Sequence, residues 1–399
     1  MNSEDFILIR RQLRRFVNEQ VIPREEEIEK NCRVPDELRR KVAEMGLFGF
    51  SIPEEYGGLG LTMTEEVQLA FEIGRTTPAF RTIFGTNTGI AGQVLLQAGS
   101  IEQRKQYLPA IATGEIIASF ALTEPDAGSD PAALQTTARR DGDFFVINGS
   151  KRFITNAPVA DLFVVFARTS GKRGDARGIS ALLVDACTPG IEVGPPDSKM
   201  GQAGALSAEV YFTDAVVPAS GLVGEEGTGF KSAMSVLSRG RLHIAAICVG
   251  LAERLVDESV NYASERSQFG KRIGDHQLVQ GMLADSKTET FAGRSMVLEA
   301  ARIYDSDHSD PVLNACSKYF CSEMLSRVAD RAVQIHGGMG YMRGVATERL
   351  YRDSRLFRIY EGTSQIQQVI IAKGLLRAAD LAAASSAQRP AQALETATN

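Results

Sequence analysis

The 399-residue chain contains no tryptophan and only four histidines, His243, His276, His308 and His336. Aromatic stacking therefore falls to phenylalanine and tyrosine, and the scattered imidazoles form no metal-binding cluster in sequence. Cysteine is scarce too: Cys32, Cys187, Cys248, Cys316 and Cys321 are widely spaced, odd in number and without a Cys-x-x-Cys pair. That argues against a zinc site or a disulfide framework and for reduced thiols in a reducing compartment. No uninterrupted apolar run approaches the ~20 residues needed to cross a bilayer. The opening MNSEDF carries acids where a signal peptide would have an apolar core. Excess positive charge is missing as well. The formal net charge is -5, and basic runs such as RRQLRR are followed closely by acids, as in REEEIEK. Such a chain has no electrostatic footprint for nucleic acid. The expectation is a soluble, cytoplasmic protein with no metal, no nucleic-acid partner and no membrane span.

What is present is apolar material for a large core. At 44% hydrophobic residues, the length suits two or three domains. Residues 1–118 read as helical: Phe6, Ile9, Leu13, Phe16, Val17 and Val21 recur at helical spacing until Pro23 stops them. A second helix is expected in VPDELRRKVAEMG, with Pro35 in its first turn and Gly46 just past its end. Between 119 and 230 the pattern turns to short β-rich runs: DFFVINGSKRFIT, LFVVFAR, GISALLVDA and AEVYF. Asn148-Gly149 predicts a hairpin turn, and this zone reads as an antiparallel β domain. From 231 to 383 long helical periodicity returns, as expected of a helical bundle. Residues 384–399 are small and polar and read as a loose tail.

Four stretches could carry chemistry. ALTEPDAGSD, residues 121–130, offers hydroxyls and free backbone N–H groups to a polar ligand, or is an ordinary interdomain loop. RSQFGKR, residues 266–272, ends a helix with basic residues and an aromatic, or simply caps it. QIHGGMGYMRG, residues 334–344, has dinucleotide-motif glycines but follows a helical pattern rather than a strand, which argues against a nicotinamide fold. In IYEGTSQIQ, residues 359–367, Glu361 stands alone after an aromatic residue. It is either a helix-capping acid or a base in an apolar site.

Taken in order, ALTEPDAGSD, FITNA, GEEGTGF, ERSQFGKRIGDHQ, QIHGGMGY and RDSRLFRIYEGTSQIQ resemble segments of the acyl-CoA dehydrogenase family over nearly the whole chain. The resemblance implies an α+β multidomain fold: N-terminal helices, a middle antiparallel β domain and a C-terminal four-helix bundle. It implies FAD as cofactor, a homotetramer built as a dimer of dimers, acyl-CoA as substrate and electron-transfer flavoprotein as electron acceptor. The implied reaction oxidises the Cα–Cβ bond of an acyl-CoA to a trans-2-enoyl-CoA.

By the same resemblance Glu361 matches the catalytic base, and burial would raise its basicity. Members that place the base elsewhere carry a glutamate at the position of Gly240. Thr123 and Thr155 match flavin-ring contacts, and Phe120 and Leu122 fall where the chain runs along the flavin. Phe153 takes a stacking position that is often tryptophan. Ser129 matches a residue bonded to a flavin phosphate or the CoA arm, and Thr363 and Gln365 match FAD contacts beyond the base. Arg266, Gln268, Phe269, Gln277, Gln334, Gly337 and Gly338 match positions that reach the FAD of a neighbouring subunit. On the substrate side, Arg241 matches an arginine near the CoA arm, and Ser238 replaces a frequent aspartate. Tyr360 and Gly362 flank the base, Gly362 leaving room for the thioester. Gly344 replaces a usual acid, while Arg349 and Asp353 keep their places. Thr86, Asn87 and Thr88 add polarity to a stretch near the acyl pocket, or face away from it.

Rival readings on the same fold are an enoyl-CoA reductase and an oxygen-using acyl-CoA oxidase, which carries an extra C-terminal domain. Monooxygenases of this fold lack the base. A DNA-binding alkylation-response flavoprotein would need a basic surface and a longer chain.

Overall fold

The structure, a computed structural model, describes residues 3–306 and 310–387. The chain begins with helices α1 (Ser3–Phe16), α2 (Glu25–Asn31), α3 (Asp36–Glu44), α4 (Met63–Ile73), α5 (Pro78–Thr86), α6 (Gly92–Ala98) and α7 (Ile101–Thr113). Pro23 lies in a 3-10 turn that follows a π-helical turn, so the regular helix ends at Phe16, ahead of the proline. Capping boxes open α4, with Thr62 and Glu65, and α7, with Ser100 and Gln103, satisfying backbone N–H groups that a helix start leaves free. Thr86, Asn87 and Thr88 are buried between α5 and α6. The Asn87 amide donates to the carbonyls of Ile111 and Ile116, and its oxygen accepts the Ala118 N–H at 2.7 Å. The Asn87 side chain thus holds the first strand to the helices.

Strands follow: β1 (Ala118–Ala121), β2 (Thr137–Asp141), β3 (Phe144–Thr155), β4 (Leu162–Arg168), β5 (Ile179–Asp185), β6 (Ile191–Val193), β7 (Ser207–Pro218) and β8 (Leu222–Val223). Their order is β6-β7-β3-β2-β4-β5-β8, mostly antiparallel, with β1 and β2 joining β4 in parallel. LFVVFA, residues 162–167, is uninterruptedly apolar because β4 is covered on both faces. Leu162, Val164 and Phe166 enter one apolar cluster, and Phe163, Val165 and Ala167 enter another.

The hairpin expected at Asn148-Gly149 is not there. β3 runs straight through these residues, and the β2–β3 turn is Gly142-Asp143 instead. Asn148-Gly149 marks a register shift against β7. Gly149 sits at φ +142°, and a Cβ there would come within 2.6 Å of Thr136. A positive-φ glycine serves a bulge as well as a turn, and the long partner strand β7 decided between them.

The bundle contains α8 (Gly229–Glu265), α9 (Gln277–Asp305), α10 (Pro311–His336), α11 (Ala346–Ser354) and α12 (Ser364–Ala387), with the two-residue strands β9 (Ser267–Gln268) and β10 (Lys271–Arg272) between α8 and α9. α8, α9, α10 and α12 pack together. Residues 384–387, expected in a loose tail, continue α12, and the rest of that tail lies outside the described residues. α8 is long and apolar enough to cross a membrane, but 78% of its most apolar window is buried inside the protein, as in a core helix.

One core joins the first and last zones, with Leu13, Val67 and Phe71 packing in the same cluster as Ile247, Leu251 and Leu325. A buried ion pair between Arg349 and Glu25 at 2.6 Å crosses the same boundary. Asp353 extends it by accepting from Thr77 Oγ1 at 3.0 Å and from the Gln202 backbone. α4 and α8 touch backbone to backbone at Gly74 and Gly250. A Cβ on Gly250 would lie 2.2 Å from the Phe71 carbonyl oxygen, and one on Gly74 2.5 Å from that of Ile247.

Gly250→Ala therefore sets two effects against each other. Helix propensity favours alanine by about 1 kcal/mol, whereas overpacking against a rigid backbone costs about 1–3 kcal/mol. Net destabilisation is expected, measured as a lower midpoint in denaturant or thermal unfolding. An equal or higher midpoint would show that the two helices can separate at no cost.

Candidate functional site

Glu361 follows the 3-10 turn Arg355–Arg358 and precedes α12. It is one of few non-glycine residues in the left-handed region, at φ +52°, and Gly362 follows at φ +88°. Two such residues in succession reverse the chain sharply, at a cost that only glycine avoids. The turn is held through its carbonyls. Lys318 Nζ, wholly buried on α10, donates to the Gly362 oxygen at 2.7 Å. The Gln367 side-chain amide donates to the oxygens of Glu361 and Gly362 at 3.2 and 3.0 Å. The backbone N–H of Glu361 is left with no acceptor among the described residues.

The Glu361 side chain is only 8% exposed, and its Oε2 has no hydrogen-bond partner. Burial pushes its carboxyl above the ordinary value, partly offset by Arg81, Lys318 and Arg241. Gly240, on α8, faces this carboxylate so closely that a Cβ there would lie 2.7 Å from Oε2. Any side chain at 240 would occupy the space the carboxylate uses. The Tyr360 ring packs edge-on against Phe357 at 5.4 Å, and burial drives its hydroxyl well above its usual range.

Three cations meet here that sequence reading did not single out or placed elsewhere. Arg81 Nη2 on α5 lies 3.8 Å from Glu361 Oε1. Burial pulls the Lys318 ammonium down to about 8. Arg241, expected near a CoA arm, is buried with an unpartnered Nε and is held below its usual range, burial outweighing the pull of Glu361. His243 is buried with both ring nitrogens unpartnered and stacks on Phe50 at 5.4 Å. The one sequence signal for Arg81 is a lone base within apolar PAFRTIFG. Ser238, one turn before Arg241, accepts a long hydrogen bond from Asn314 at 3.4 Å.

The second group gathers around β3. The loop 121–130 is anchored by Glu124, whose carboxylate accepts the Gln135 and Thr136 N–H groups and pairs with buried Lys151 at 2.7 Å. Lys151 Nζ also donates to the Leu122 carbonyl at 3.1 Å. Neither residue was singled out in the sequence, where they lie 27 positions apart. A second register shift in β3, between Lys151 and Ile154, turns Phe153 outward at φ +58°. Its ring is 62% exposed beneath the Arg152 guanidinium. The hydroxyls of Thr123 and Thr155 are half-buried and bond to no protein group among the described residues. Phe120 packs on Phe166 at 4.8 Å, Leu122 is buried, and Ser129 is exposed. A face with two free hydroxyls and an open aromatic ring suits a flat, polar-edged ring system, so these residues fit a flavin.

The remaining candidates divide. The Thr363 hydroxyl accepts the Ile366 N–H at 3.2 Å and so caps α12, while Gln365 is exposed. Arg266, Gln268, Phe269, Gln277, Gln334, Gly337 and Gly338 are all exposed, Gln277 at the start of α9 and the others just past or within the ends of α8 and α10, which Tyr262 and His336 join by stacking at 4.3 Å. Phe269 is 95% exposed at the tip of the β9–β10 turn. Within one chain, no hydrogen bond or ring contact among the described residues joins this set to the Thr123–Thr155 face.

Family models for the acyl-CoA dehydrogenase N-terminal, middle and C-terminal domains match residues 3–115, 119–215 and 227–376. A 3-(aryl)acrylate reductase of Clostridium sporogenes is 38% identical over 94% of this chain and 99% of its own. An acyl-CoA dehydrogenase of Bacillus subtilis is also 38% identical, over 94% of this chain and 98% of its own. A chain in the structure of the electron transferring flavoprotein of Acidaminococcus fermentans superposes with a TM-score of 0.91 at 37% identity, covering 94% and 99% of the two chains. The order of helical, β and helical domains is thus shared with these proteins, and the chain belongs to the acyl-CoA dehydrogenase family of FAD-dependent oxidoreductases.

Proposed function

We propose that this protein interconverts an acyl-CoA and its 2-enoyl-CoA, with Glu361 as the base at Cα. The observation that carries the reading is the buried, partly unpartnered Glu361 carboxylate beside its own free backbone N–H. Removing a proton from Cα demands a stronger base than a wet carboxylate, and burial supplies one. It also demands that the thioester oxygen be held by donors as negative charge develops. The free N–H of Glu361 is such a donor, kept free because Lys318 and Gln367 hold the turn by its carbonyls alone. The Thr123–Phe153–Thr155 face would hold FAD, which when bound would supply the acceptor for the hydride leaving Cβ. Ser129, Phe120, Leu122, Thr363 and Gln365 would help to hold it, Arg241 and Ser238 would hold the CoA arm, and Tyr360 and Gly362 would flank the reacting carbons.

The exposed set around Phe269 supports assembly as a homotetramer in which one subunit reaches the flavin of another. Electron-transfer flavoprotein is the proposed redox partner, since this chain resembles one in a structure of such a protein. The same geometry serves the reverse direction, because a carboxylate that takes the Cα proton can return it. The reductase relative favours that second reading.

Glu361→Gln is expected to retain FAD and lose anaerobic bleaching by acyl-CoA by about 10²-fold or more. Bleaching at an unaltered rate would assign the base to another group. Gly240→Ala, which intrudes on the carboxylate, is expected to slow the same step by about 10- to 100-fold, with thioester binding, titrated spectrally, changed much less. Because only the ionised carboxylate accepts a proton, bleaching should rise with pH through a midpoint above the ordinary glutamate value of about 4.3. Stopped-flow rates already flat from that ordinary value upward would show that no carboxyl with a raised midpoint limits the step.

A further inference from the structure

The buried arginines fall into two groups. Arg168 donates to the carbonyls of Ala132, Leu134 and Asp175, Arg239 pairs with Glu66, Arg254 with Glu258, and Arg349 with Glu25. Arg81 and Arg241, on either side of Glu361, make no side-chain hydrogen bond among the described residues. Arg241 is accounted for by the CoA arm in the reading above, but Arg81 is not. Its guanidinium is 7% exposed, its Nε is unpartnered, and its nearest carboxylate is Glu361, at 3.8 Å, beyond hydrogen-bond reach. Burying a cation whose ion pair makes no hydrogen bond is costly, and a pocket for a plain hydrocarbon chain gives no return for it.

The chain makes room for this group. Arg81 lies along its own helix over Gly85, where a Cβ would come within 2.6 Å of Nε. His243 adds a second unsatisfied polar group nearby: burial, with Arg81 and Arg239 close by, holds its ring neutral, and neither nitrogen has a partner. The other charged groups at this end are accounted for. Arg239 and Glu66 bind each other, and Lys318 holds the Gly362 carbonyl.

We infer that the acyl group of the substrate carries a carboxylate beyond Cβ, and that Arg81 binds it. The inference rests on the acyl-CoA reading above and names its substrate class: a mono-CoA thioester of a short dicarboxylic acid. A guanidinium presents two parallel N–H donors that match a carboxylate, and His243 stands by as a neutral donor to the same group. Occupancy also alters the base. With the site empty, Glu361 is the anion nearest Arg81, and that attraction lowers its basicity. A substrate carboxylate on Arg81 takes over that pairing and leaves Glu361 free to accept the Cα proton. A neutral chain of equal length leaves the guanidinium desolvated and without a hydrogen-bonded anion, which is how a site built for a polar group rejects its apolar analogue.

The test uses the FAD-loaded enzyme under anaerobic conditions, comparing glutaryl-CoA and adipyl-CoA with valeryl-CoA and hexanoyl-CoA. The carboxylated thioesters are expected to bleach the flavin with kcat/KM about 10²-fold or more above the neutral ones of equal carbon number. Arg81→Met is expected to collapse that ratio, and Gly85→Ala, which displaces the guanidinium without removing its charge, to reduce it. In the Glu361→Gln background, where binding is read without turnover, Arg81→Met should weaken adipyl-CoA far more than hexanoyl-CoA. A wild-type preference for the neutral series, or an Arg81→Met variant that slows both series equally, overturns the inference and leaves the dehydrogenase reading standing. Silence with all four thioesters, while dithionite still reduces the bound flavin, would instead sink that reading and this inference with it.

Discussion

A carboxylate kept out of water, on a backbone turn that L-residues avoid, is the constraint around which this structure is organised. Glu361 and Gly362 both lie at positive φ, and the non-glycine member carries a conformational cost of order 1–2 kcal/mol. The compensation comes from three separate helices. Lys318 on α10 and Gln367 on α12 capture the carbonyls of the turn, and α8 contributes the missing side chain of Gly240. Moving any one of these elements moves the carboxylate.

That dependence explains why the core joins the first and last zones. α4 and α8 meet at Gly74 and Gly250 closely enough that neither backbone can slide, and α5, which carries Arg81, follows α4 directly. The buried Glu25–Arg349 pair ties α2 to α11, just ahead of the turn. A charge pair of this kind adds little net stability, but breaking it leaves an uncompensated buried charge, so it enforces one arrangement of the domains. The β domain carries its own anchor. Lys151 and Glu124 clamp the loop 121–130 to β3, and the bulge beyond Lys151 turns Phe153 outward.

Charge around the site is arranged by subtraction as much as by addition. Most buried arginines are neutralised, whereas Arg81, Lys318 and Arg241 all press on one carboxylate whose burial pushes the opposite way. The result is a carboxylate poised between two opposing influences, burial on one side and three cations on the other.

Much of this was legible in the chain. The three zones follow from hydrophobic periodicity, and the segment resemblance named Glu361 as the candidate base and Gly240 as the alternative position, while only the structure shows the two facing each other. β4 could be read as a buried strand because burial on both faces leaves an unbroken apolar run. The Asn148-Gly149 turn was misplaced, since a positive-φ glycine is needed equally by a bulge, and only pairing with the twelve residues of β7 distinguishes the two. Arg81, His243, Lys318 and the Glu124–Lys151 clamp carried almost no sequence signal. A lone arginine on an apolar helix looks the same whether it reaches water or points inward. What it faces is set by residues 280 positions away, and only the folded chain brings Arg81 and Glu361 to 3.8 Å. Local pattern therefore determined the elements, and the resemblance of whole segments named the candidate base. Tertiary packing alone decided which charges surround it, because desolvation and pairing depend on what lies across the fold and not on what lies next along the chain.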